Sequence, residues 1–80
     1  MRLLSANLQA FLVVYEKSSV SAAAVELGVG QTAITQRIRS LENEWGVSLF
    51  TRSRKGMKVT PEGQALLEYC LRANELEGQT

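Results

Sequence analysis

The stretch SVSAAAVELGVGQTAITQRIRSLENEWGVSLFTRSRKGMKVT, Ser19 to Thr60, decides the fold. Two short helical patterns in it run into a basic, glycine-containing hairpin. The first, Ser21 to Leu27, is stopped by Gly28-Val29-Gly30, and the second runs from Gln31 to Trp45 and is stopped by Gly46. Two helices joined by a tight glycine turn make a helix-turn-helix. Ser21 and Gly30 are the expected N-caps, and Gly28 and Gly46 the residues just past each helix end. The pattern predicts a mainly α fold: a winged helix-turn-helix of three helices plus a short β-hairpin wing, followed by a long C-terminal helix.

The second helix of the motif carries the functional signal. Ile34, Ile38, Leu41 and Trp45 recur at helical spacing and point one stripe at a core. The opposite face then holds Thr32, Gln36, Arg39 and Asn43, with Gln31 and Thr35 beside it. Amides, hydroxyls and a guanidinium match base-edge donors and acceptors in the major groove, Gln suiting adenine and Arg guanine. Any amphipathic helix also has a polar face, so this feature alone leaves an ordinary solvated surface open.

The next segment shifts the balance. Val47 to Thr60 reads as two extended pieces around a polar turn, with Met57 and Val59 alternating with Lys58 and Thr60 at the period of a half-buried strand. Arg52, Arg54, Lys55 and Lys58 would project from this ribbon, where cations suit phosphate or minor-groove contact. Residues 31–60 hold those four cations with Arg37 and Arg39 against Glu42 and Glu44, a balance of +4. The rest of the chain holds Arg2, Lys17 and Arg72 against six glutamates, a balance of −3. A whole-chain charge of +1 hides this polarity.

Flanking helices complete the domain. Leu8, Phe11, Leu12 and Tyr15, within a helix from about Ser5 to Lys17, form a core stripe expected to pack against Ala23, Leu27, Ile34 and Ile38. At the other end Thr60 is the expected N-cap of a helix reaching about Gly78, with Pro61 in its first position and Glu62 in its first turn. Its apolar residues cover more circumference than one small domain can bury. Leu66, Tyr69, Ala73 and Leu76 make one stripe, expected to meet a partner, with Leu67, Cys70 and Leu71 beside it. The expected division is residues 1–60 as the winged domain and 61–80 as a linker and dimerisation helix.

These residues resemble the N-terminal DNA-binding domain of LysR-type bacterial transcriptional regulators. The resemblance rests on Leu8 with Phe11-Leu12, Ser19-Val20-Ser21 with Ala22-Ala23 and Leu27, and Gln31, Ala33, Ile34 and Thr35. It continues through Ile38, Leu41-Glu42, Gly46, Leu49-Phe50, Arg52 and Thr60-Pro61-Glu62-Gly63. What it implies is a homodimer whose terminal helices pair antiparallel, binding double-stranded DNA, with a small-molecule effector held in a larger domain absent from these residues. Three positions depart from the commonest family pattern: Gly30 stands where Ser usually caps the recognition helix, Thr32 where Pro is frequent, and Thr35 where Ser is usual.

Enzymatic constellations lack their parts. His and Asp are absent and the glutamates are scattered, so triads, paired carboxylates and metal sites are not expected, nor is any cofactor. Gly28-Val29-Gly30 follows a helix and lacks a phosphate-loop Lys, so it reads as a turn. A single Cys70 in an apolar helix reads as a packing residue. A chain starting at Met1 without a signal-peptide pattern or an apolar run near 18 residues is expected in the cytoplasm, with no membrane partner. Two alternatives stay open: another winged-helix regulator, molybdate-regulator-like or MarR-like, or a winged helix serving only protein interaction.

Overall fold

The structure, a computed structural model, describes residues 5–78. Elements follow in the order α1 (Ala6–Lys17), α2 (Val20–Leu27), α3 (Gln31–Trp45), β1 (Phe50–Ser53), β2 (Gly56–Val59) and α4 (Pro61–Gly78). The strands form an antiparallel two-stranded sheet pairing Phe50 with Val59 and Ser53 with Gly56. This is a winged helix-turn-helix with a long terminal helix, as expected.

Local chemistry sets the boundaries. Ser5 Oγ accepts the Leu8 N–H at 3.2 Å to open α1, and Thr60 Oγ1 accepts the Gly63 N–H at 2.9 Å to open α4. α3 spans the expected residues, starting at Gly30 without a side-chain cap and ending at Gly46 in the left-handed region. One cap differs from expectation. Ser19, not Ser21, opens α2, its Oγ accepting the Ala22 N–H at 3.0 Å, so the helix begins two residues earlier.

The core draws on every helix. Ala10, Phe11 and Val14 of α1 meet Ala23 and Ala24 of α2 and Ile34, Ile38 and Leu41 of α3 in one cluster, closed by Leu49, Phe50, Leu66, Leu67 and Cys70. The Phe11 and Phe50 rings, centroids 5.3 Å apart and tilted, tie α1 to the start of the wing. Burial pushes the Cys70 thiol above its ordinary range, as fits a packing residue.

Three apolar positions sit differently from their sequence pattern. Tyr15 is 42% exposed, and its expected place in the α1 core is taken by Val14 with Ala10. Apolar residues crowd α1 so densely that two registers of the same spacing fit. Trp45 is 55% exposed because it occupies the last turn of α3, at the edge of the buried cluster. Leu66 is buried at 5% exposure beside Leu67, so it packs into its own domain and is not on an exposed stripe. Among the α4 side chains described, Tyr69 and Leu71 are the large apolar ones left to solvent, while Ala73 and Leu76 lie outside the described side chains. The first turns of α4 thus belong to the winged domain's core.

Gly63 makes that packing possible. It is buried in α4, and a Cβ there would collide with the Leu49 carbonyl oxygen and the Val59 Cγ2. Replacing a helical Gly by Ala ordinarily gains up to about 1 kcal/mol. Overpacking against backbone that cannot yield costs about 1–3 kcal/mol and should win. Gly63→Ala is therefore expected to lower the urea midpoint; an unchanged or raised midpoint would show that α4 sits further from the wing than described.

Candidate nucleic-acid interface

α3 and the wing flank a shared cleft. Its volume is about 660 Å³, and it is lined by Gln31 and Thr35 from α3, by Arg52, Arg54 and Lys55 from the wing, and by the α1–α2 turn with Lys17. A smaller recess of about 220 Å³ lies between α3 and the wing, bordered by Thr35, Arg39, Glu42 and Arg52. Thr35 and Arg52 border both.

The sequence-expected residues separate by position. Gln31, Thr32, Gln36 and Arg39 are exposed on α3 and Thr35 is half-buried on the same helix. Arg52, Arg54, Lys55 and Lys58 are all exposed on the hairpin. Lys58 stands apart from the large cleft: it pairs across the sheet with Thr51, while the cleft is lined by Arg52, Arg54 and Lys55. The ion pair present among the described residues joins Lys17 to Glu26 at 3.7 Å, half-exposed at both ends, so none of the carboxylates described holds a wing cation. A pair so exposed is worth at most about 1 kcal/mol.

Sequence reasoning missed the contribution of the α1–α2 turn. Lys17, Ser18, Ser19 and Ser21 all line the large cleft. The signal is a lysine followed by hydroxyls at the start of α2. Charge balance obscures it, because Lys17 falls by chain position in the acidic remainder.

The same turn fixes the wing. Ser18 adopts the left-handed conformation, φ 56°, as the cap of α1, and its carbonyl accepts the Met57 N–H at 3.1 Å. Arg54 and Lys55 form the turn, braced by Ser53 Oγ, which donates to the Gly56 carbonyl at 2.9 Å and accepts the Lys55 N–H at 3.3 Å. Gly56 has φ 118°, and a Cβ there would collide with the Ser18 carbonyl oxygen. Both facts require glycine.

Comparison with known proteins places this geometry. Residues 5–64 match the family described as bacterial regulatory helix-turn-helix protein, lysR family. The chain belongs to the LysR family. This removes the molybdate-regulator-like and MarR-like alternatives. The transcriptional regulator CzcR of Bacillus subtilis (strain 168) is 43% identical over 63 residues, covering 79% of this chain and 22% of the relative. TfdS of Cupriavidus pinatubonensis is 42% identical over 70 residues, covering 88% of this chain and 24% of that regulator. The chain thus spans less than a quarter of the curated relatives it matches. Among solved structures, the CbnR DNA-binding domain in complex with DNA superposes with a TM-score of 0.82 at 40% identity, covering 91% of this chain and 84% of that one. The BenM DNA-binding domain with its catB site 1 DNA gives 0.83 at 32%, covering 91% and 82%.

Gly56→Ala should release the wing from the α1–α2 turn. Amide exchange is the measurement: the Met57 amide is expected to lose protection while those of α1 and α3 keep theirs, and an unaltered Met57 rate would show that the wing needs no such anchor.

Proposed function

We propose that this chain is a sequence-specific double-stranded DNA-binding domain of a bacterial LysR-type transcription regulator. The observation that carries the reading is the placement of Gln31 and Thr35 of the polar α3 face with Arg52, Arg54 and Lys55 of the wing around one open cleft. In it α3 enters the major groove and presents Gln31, Thr32, Thr35, Gln36 and Arg39 to base edges, while Arg52, Arg54, Lys55 and Lys58 neutralise backbone phosphates. The solved structures of CbnR and BenM with DNA support it by likeness of fold and sequence. The reading involves no catalysis, and the chain needs no cofactor to bind. An effector would be bound in a further domain, and the setting is the bacterial cytoplasm. No helix among the described residues is long and apolar enough to cross a membrane.

Base reading and phosphate contact are separable. Gln36→Ala should lose about 1–3 kcal/mol on a selected operator and much less on random duplex. Replacing Arg54 and Lys55 together by Ala should weaken both alike and flatten the salt dependence by about one unit for each phosphate no longer neutralised. Fluorescence anisotropy on both duplexes across a salt series checks the pair. Equal losses on both DNAs for Gln36→Ala, or a salt slope untouched by the double replacement, would each overturn its half of the assignment.

The same reading makes the protein a homodimer through α4. Successive half-sites lie about 34–36 Å apart or a multiple of that, so two recognition helices must be held at a fixed span. Support comes from exposed apolar surface: Trp45 and Tyr69, at 55% and 59% exposure, flank an apolar groove of about 310 Å³ bounded by Val47 and Ala65. Of the stripe read from sequence, Tyr69 is the member to test, with Ala73 and Leu76 remaining part of the proposal. Tyr69→Glu should shift the chain to monomer in sedimentation and lower affinity for a two-half-site duplex toward that of one half-site. Leu66→Glu should instead unfold the domain, because it buries an unpaired carboxylate. A Tyr69→Glu dimer of undiminished affinity would place the interface elsewhere.

A further inference from the structure

Glu42 is an anion on the side of the molecule otherwise given to cations. It borders the small recess between α3 and the wing together with Arg39 and Arg52. There it would repel a phosphate backbone unless its charge were engaged. Among the described residues neither arginine forms an ion pair with it. The carboxylate is turned to the main chain: its Oε2 accepts the Leu49 N–H at 2.8 Å. The Glu42 carbonyl also accepts the N–H groups of Gly46 at 2.8 Å and Val47 at 3.1 Å. One residue of the recognition helix thus holds three N–H groups of the segment that leads into β1.

The Leu49 bond is the one with a directional consequence. Leu49 is 1% exposed and immediately precedes the first strand of the wing, so water cannot freely replace a missing acceptor. The two carbonyl bonds end the helix and would form with any residue at position 42. Only the side-chain bond reaches past the turn to fix where the hairpin starts relative to α3.

We propose that Glu42 is a positioning residue that locks the wing against the recognition helix, so that base reading and phosphate contact fall on one register of the duplex. This rests on the DNA-binding reading above. Glu42 touches no DNA in this role; it acts through Leu49 and the hairpin that follows.

The test compares Glu42→Ala, Glu42→Gln and Glu42→Asp. Ala and Gln remove the same charge, so the difference between them reports the acceptor with the side-chain stem that carries it, and not the charge. Asp keeps the charge but is one methylene too short. With duplex affinity measured across a salt series, Glu42→Ala should bind about tenfold more weakly than Glu42→Gln. Its salt slope should be shallower by about one to two units, as displaced wing cations no longer reach phosphate. Glu42→Gln should keep the wild-type slope, and Glu42→Asp should follow Ala. The Leu49 amide should exchange faster in Ala and Asp than in Gln or wild type, without DNA present. Thermal melting establishes that each variant is folded, and should Ala not fold, the comparison of Asp with Gln decides. Equal binding by Ala and Gln, or a lower melting temperature with an unchanged salt slope, overturns the role of Glu42 while the DNA-binding reading stands. Wild type lacking salt-dependent duplex binding overturns that reading and the proposal together.

Discussion

Leu49 is the residue on which the three functional parts of the molecule are joined. Its side chain is 1% exposed, so its main-chain groups must find partners inside the protein. The N–H is accepted by Glu42 of α3, and the carbonyl accepts the Thr60 N–H at 3.0 Å from the end of β2. Thr60 Oγ1 donates to the neighbouring Ser48 carbonyl at 2.6 Å while accepting from Gly63 in α4. Burying one leucine therefore fixes α3, the base of the wing and the root of the terminal helix relative to one another. The absence of a Cβ at Gly63 is what lets α4 approach the Leu49 carbonyl at all.

The wing is held at its far end by a second, independent device, the Met57 bond to the Ser18 carbonyl. A two-stranded hairpin is marginal by itself in water. Fastening both ends, together with the Phe11–Phe50 contact, supplies what the strand pair lacks. The four wing cations are then carried on a frame whose position is set by main-chain hydrogen bonds and core packing. Their own side chains are exposed, and none is paired with a carboxylate among the described residues.

Element boundaries were legible in the sequence because glycine, serine, threonine and proline write them locally. Gly30 and Gly46 bounded α3, and Thr60-Pro61 opened α4, where the structure has them. Ser19 was harder to choose over Ser21, since both are hydroxyl residues ahead of the same alanine run and only the hydrogen bond to Ala22 separates them. Facing was less legible than extent. In α1 the crowding of apolar residues allows a stripe through Tyr15 or one through Val14, and packing against α2 and α3 selects Val14. In α4 Leu66 and Tyr69 share a helical stripe, yet the core takes Leu66 and leaves Tyr69, because a stripe's edge is set by the neighbour it meets. The polar face of α3 was read well, since Ile34, Ile38 and Leu41 define its opposite without ambiguity. What spacing could not reveal was the cleft's third wall, the Lys17 to Ser21 turn, which is remote in sequence from α3 and the wing.

The departures from the common family pattern fall where the fold can tolerate them. Gly30 gives α3 no side-chain cap, and glycine costs only a few tenths of a kcal/mol against a hydroxyl there. The helix start is held from within by the Ile34 N–H to the Gly30 carbonyl at 3.3 Å and by the complete burial of Ile34. Thr32 lies in the first turn and Thr35 just beyond it, on the side that packing does not use or uses only in part. Stability in this helix comes from the buried stripe, as is general for amphipathic helices. Its outer residues are consequently free to change with little effect on the fold. A hydroxyl at position 32, where proline has none, adds a donor and acceptor to the face presented outward. Variation on the outward face of α3 can therefore accumulate without disturbing the Leu49 junction that positions the helix.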